Sequence, residues 1–231
     1  QMIARLVVSE ICIRDRGCLT AVSVLGLVSS VSATHFRYGH VTWKPGTGAN
    51  EIELRVQAAF RRNGYPGTHA DGSIAVGDTF LETIGNTELI FGDGTQTGVL
   101  QFTTTSIDPT NNFATGEVSI SHTYTCASPP CYFTARIAQD SSTKACCRIV
   151  HCEATPPISH LNGGPGLNVE YEVHTVVEVG GSNSSPVSSL PPIIQCIENG
   201  LCTFDIPVSD NEGDFVKFRL ATNTESGIAI H

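Results

Sequence analysis

The stretch from Thr87 to Ile137 constrains the fold more than any other, because it couples a tight acidic turn to a strand far downstream. Thr87–Phe91 is a short apolar run, and the Gly92-Asp93-Gly94 after it favours positive φ and a sharp turn after a strand. Ile120-Ser121-His122-Thr123-Tyr124 alternates apolar and polar residues, and Tyr132–Ile137 resumes strand character beyond a loop bounded by Cys126 and Cys131. This predicts two strands joined by a hairpin that the two cysteines staple.

Taken in order, Phe91, Gly92, Asp93, Gly94 and Thr95, then His122 and Tyr124, resemble the polycystic-kidney-disease (PKD) repeat. That family is an immunoglobulin-like β-sandwich with an aromatic-Gly-Asp-Gly turn, a His-x-Tyr strand and a hairpin. Its hairpin turn, often a glycine, is here Cys-Ala-Ser-Pro-Pro-Cys, a longer loop suited to disulfide closure. The resemblance implies an extracellular interaction or spacer module rather than a catalyst.

The rest of the chain agrees with an all-β, antiparallel sandwich. Glu51–Ala58 alternates so regularly that Ile52, Leu54, Val56 and Ala58 fall on one face, with Glu51, Glu53, Arg55 and Gln57 on the other. Phe36, Tyr38 and Trp43 offer an apolar face to a first strand stopped by Pro45-Gly46. Val99–Thr105 reads as a strand broken by Asp108–Asn112, and the long alternation Leu167–Val179 closes a first domain over 34–180. Twenty-two glycines and twelve prolines among 231 residues favour many short strands over long helices. A formal charge of −9 without a basic run argues against a sequence-independent grip on nucleic acid.

Nine cysteines point to an oxidising compartment, and hence to a secreted chain rather than one with buried reduced thiols. Cys126, Cys131, Cys146, Cys147, Cys152, Cys196 and Cys202 are the disulfide candidates. Cys147, His151 and Cys152 also offer three of the four ligands a zinc ion wants, but neighbouring cysteines on a strand face opposite ways and suit separate disulfide partners better. The pairing stays open, since Cys126 or Cys131 could reach Cys146, Cys147 or Cys152 instead of each other.

Residues 1–16 carry no targeting logic and read as a sequence artefact, which would make Cys12 spurious. Residues 17–33 combine Arg14 and Arg16 upstream, an apolar run and a Val31-Ser32-Ala33 end, as a signal peptide cut before Thr34 does; the alternative is an extended strand given to another subunit. The run is too short and too serine-rich for a stable membrane span. His35, Arg37 and His40 invite a metal reading, yet a cation sharing a face with His35 favours surface or packed histidines. His69 and Asp71 read as solvated loop residues.

Residues 181–192 are a Ser/Pro linker by composition, and Asn183-Ser184-Ser185 is the chain's one N-glycosylation sequon. Residues 193–231 begin a second immunoglobulin-like module too small to bury a core alone. Its acidic turn, Asp210, Glu212 and Asp214, is similar to those of cadherin-like modules and gives candidate ligands for calcium, the one cofactor to consider. The expected function is a secreted, glycosylated, disulfide-stabilised structural protein that self-associates into a surface fibril by β-strand complementation. The alternative is an adhesin-type module of a longer chain that recognises carbohydrate or protein. With no G-x-S-x-G, H-E-x-x-H or phosphate loop, an enzyme is not expected.

Overall fold

The computed structural model describes residues 36–81, 87–138, 145–146, 170–171, 173–194, 201 and 203–219. The expectations for 1–16 and 17–33, and for Cys147, His151, Cys152, Cys196 and Cys202, lie outside these residues, as does the side chain of Cys146.

Alternation sets the strands, and the strands form two antiparallel sheets. In chain order they are β1 (Phe36–Pro45), β2 (Glu51–Arg61), β3 (Thr79–Leu81), β4 (Glu88–Ile90), β5 (Gln101–Asp108), β6 (Phe113–Thr123), β7 (Cys131–Ala138), β8 (Ala145–Cys146), β9 (Glu170–Tyr171), β10 (Val173–Val179), β11 (Val187–Ser188) and β12 (Val208–Ser209). A 3-10 turn, Arg62–Gly64, comes after β2. One sheet has the order β1-β2-β6-β5-β3, the other β10-β7-β4, and β8/β9 and β11/β12 are two-residue ladders.

The central strand behaves as its alternation predicts. Ile52, Leu54, Val56 and Ala58 of β2 are buried against Phe102 of β5, Leu89 of β4, Ile137 of β7 and Val177 of β10, so both sheets share one core. The outward residues Arg55 and Glu117 pair across β2 and β6, and Lys44 pairs with Glu53 at 3.0 Å. Phe60 is the aromatic hub of the lower core, with Phe36, Tyr65, Phe80 and Phe102 around it at centroid distances of 5.3–5.9 Å, all edge-on.

Two local expectations change. Phe36 and Tyr38 do not share a face: a register shift between them sets Phe36 opposite Phe60 and Tyr38 opposite Ala59. That bulge turns Tyr38 outward, where it meets Ala59 and Leu190 in a second small cluster. Nor does the loop Cys126–Cys131 close a hairpin. β6 pairs with β2 and β5, whereas β7 pairs with β10 and β4, so the loop is an arch from one sheet to the other. Both strands alternate well enough for a hairpin; the core between the sheets decides otherwise, because it takes one apolar face from each.

Candidate functional site

The acidic turn and the His-Thr-Tyr strand meet at one end of the sandwich. Gly92 holds φ +88, and a Cβ there would stand 2.5 Å from the Thr134 carbonyl oxygen, so the turn can lie flat on β7 only with glycine. The Asp93 carboxylate accepts the Thr95 N–H at 3.0 Å and the Thr95 hydroxyl at 2.6 Å, and closes the turn on itself. His122 Nε2 lies 2.7 Å from Asp93 Oδ2, and its ring stacks on Phe91 at 3.8 Å, nearly parallel. Tyr124, buried beside it, donates its hydroxyl to the Phe91 carbonyl at 3.1 Å and stacks on Phe133.

Charge reflects this packing. Partial burial alone would raise the Asp93 carboxyl, but the bonds from Thr95 and His122 outweigh it and hold it below the ordinary carboxylate value. Burial, helped by the Asp93 charge, pushes the Tyr124 phenol up and keeps it a donor. The cluster therefore locks the turn, β6 and β7 together.

The arch beside it carries the disulfide Cys126–Cys131, so the structure joins these two candidates to each other. Its far side leans on the end of β10: a Cβ on Gly180 would come 2.5 Å from the Pro129 Cβ.

From Gly180 the chain expected to be a linker runs along the open edge of β1. Ser185 donates its N–H to the Trp43 carbonyl at 2.9 Å, and its hydroxyl accepts the Trp43 N–H at 2.7 Å. Ser184, Ser185, Ser188 and Leu190 are buried along this strap, and β11 within it pairs with β12. The acidic candidates are not gathered around one point. Asp210 accepts the N–H groups of Glu212 and Asp214 at 3.1 and 2.9 Å and caps its own turn, while the Glu212 carboxylate takes the Ser184 hydroxyl at 2.9 Å. Among the described residues, no three His, Cys, Asp or Glu side chains converge as metal ligands would. Asn183 is half-buried at the head of the strap, its side-chain oxygen accepting the Ser184 N–H at 3.0 Å.

His40 is a packed histidine. The Tyr38 phenol, raised to about 12 by burial, donates to His40 Nδ1 at 2.5 Å, and burial together with the charge of Arg55 lowers the imidazole to about 4. His40 and the buried His174 line one cavity of about 60 Å3 between β1, β10 and the strap.

His69 and Asp71 are not merely solvated, for both bond the buried Arg62. Arg62 is 4 % exposed, with its guanidinium 2.6 Å from Asp71 and 2.8 Å from His69. The Ser73 hydroxyl and Arg62 hold the Asp71 carboxyl well below its usual range. Sequence reasoning missed this anchor and the Trp43–Ser185 link. The first left a trace in the paired arginines before Asn63-Gly64. The second left none, since two residues so far apart in sequence share no local pattern.

Comparison with known proteins gives a family. A family model described as "Integrin beta-like protein A-E, N-terminal" matches residues 37–155, just over half of the chain. Among curated proteins of Dictyostelium discoideum, integrin beta-like protein B is 33% identical over 184 residues, 77% of this chain and 8% of that protein. Integrin beta-like protein C is 26% identical over 188 residues, 81% of this chain and 9% of that protein. Integrin beta-like protein A is 28% identical over 211 residues, 86% of this chain and 10% of that protein. The chain thus spans at most about a tenth of the length of these relatives. No solved structure matches it.

Proposed function

From the premise that this chain belongs to the integrin beta-like protein A-E N-terminal family, we propose that it is an extracellular module of an adhesion-related cell-surface protein. Its role in this reading is to bind or to space, not to catalyse. The observation that carries it is the strap: the sandwich is buttoned through Trp43 and Ser185, and through Leu190 against Tyr38, to the segment beyond it. Such a joint transmits force and orientation between modules, which a free serine-proline linker would not. A PKD-like or immunoglobulin-like kinship remains part of this proposal, resting on the Phe91–Asp93–His122–Tyr124 cluster. The test is attachment of cells or particles to beads coated with the secreted chain, against beads coated with an unrelated β-sandwich. Attachment at background level would sink the adhesive reading and leave the spacer.

A second reading, assembly by strand complementation, has its own observation. Beyond the strap only Val208–Ser209 forms a ladder among the described residues, and Phe215 and Phe218 stand 73 % and 44 % exposed a few residues after it. A strand from a second copy would cover them and complete the sheet. A detergent gel run boiled and unboiled, both without reductant, decides between the two. A ladder that collapses to one band on boiling supports strand exchange, and a single band in both lanes removes it.

A further inference from the structure

The strap runs along the β1 edge of the first sheet and leaves a groove of about 340 Å3 between itself and the sheet's polar outer face, within the size range of small-ligand sites. The sheet contributes Lys44, Glu53, Arg55 and Ser119; the strap side contributes Ser184 and Asn211. Lys44 is paired with Glu53, and Arg55 with Glu117, so the floor has little net charge to attract an ion of either sign. Hydroxyls, an amide and neutralised charges suit a neutral, polyhydroxylated ligand. The sequence tethers such a ligand next to the groove, because Asn183 is the sequon acceptor and its neighbours Ser184 and Ser185 are lining residues.

We propose that Asn183 carries an N-linked glycan whose proximal sugar folds back into this groove, against Ser119 and Asn211. The inference rests on the extracellular reading above. In the attachment step Asn183 Nδ2 loses one proton and bonds the anomeric carbon of a glycosyl-diphosphate donor; the bond to the diphosphate breaks, and the diphosphate leaves with the electron pair. The structure also fixes the order of events. The sequon's third residue, Ser185, is 8 % exposed with its hydroxyl bound to the Trp43 backbone, so transfer precedes docking of the strap.

The experiment is secretion of the whole chain from a glycosylating eukaryotic host, mass spectrometry of the Asn183 peptide, and timed endoglycosidase release from native and denatured protein. Asn183 is expected to be occupied, with native release slower by at least about tenfold, the scale two ordinary hydrogen bonds to the sugar supply. The doubly substituted Ser119→Ala, Asn211→Ala chain keeps the sequon, and both positions are exposed, so native release should speed up severalfold. Equal rates from native and denatured protein, or no change in the double variant, overturn the groove. Secreted protein with Asn183 bare overturns the whole inference but leaves the extracellular reading standing. A chain that stays inside the cell overturns both.

Discussion

At the scale of single residues, the titration of His40 gives the sharpest consequence. Its imidazole titrates near 4 in the folded chain and near the ordinary 6.5 when unfolded. Between those values the unfolded chain binds more protons, so stability rises with pH. The contribution is complete above 6.5 and is lost as pH falls toward 4, and it amounts to at most about 3 kcal/mol. Urea midpoints measured from pH 7 to pH 4 should fall for the native sequence and fall much less for His40→Gln. Equal slopes would mean that burial and the charge of Arg55 do not hold the ring neutral. Asp93, Asp71 and Asp78 act in a separate window: their depressed carboxyls stabilise fully above 3.8, and that contribution fades as pH drops below it. At this scale the sequence was half informative. The sequence placed Asp93 and His122 in one ordered motif without pairing them, and nothing near His40 announced that Tyr38 would turn outward to meet it, because a bulge has no periodic signature.

Among the elements, the strap is the piece whose role composition concealed. Gly180–Pro192 has the residues of a linker, and its serines would be solvated in one. They are buried because β1 is an edge strand with unpaired backbone groups at Trp43, and Ser185 satisfies both of them. Substituting Ser185→Ala in unglycosylated protein leaves the Trp43 N–H without its acceptor. The expected loss is about 1–3 kcal/mol, with faster hydrogen exchange at the Trp43 amide. Ser184→Ala, which gives up only a bond to the carboxylate of Glu212, should cost less. Unchanged exchange at Trp43 would show that the strap is not held there. The arch at Cys126–Cys131 teaches the converse lesson, since the staple was legible in the cysteine spacing but the partner sheets were not.

For the whole molecule, two main sheets and one principal core account for most of the described residues between Phe36 and Val179, and the segment beyond the strap is only sparsely paired. If a second copy completes that segment, self-association should depend on Phe215 and Phe218. Replacing both by serine should abolish any boil-sensitive ladder and lower the urea midpoint of the sandwich little, because neither belongs to its core and Phe218 only borders the His40 cavity. A ladder that survives the double substitution would place the contact elsewhere, with the edge of β3 as the next candidate. The amino-acid sequence by itself determined the all-β class, the strands of strict alternation, the acidic turn and its downstream histidine and tyrosine, since each depends on residues close together or on an ordered motif. Only the tertiary structure decided that β6 and β7 part into different sheets, that Arg62 is buried on Asp71, and that a serine-rich strap closes the edge of β1. Those outcomes depend on which apolar faces fill a common core and which backbone groups are left to be paired, and no local stretch of sequence carries that information.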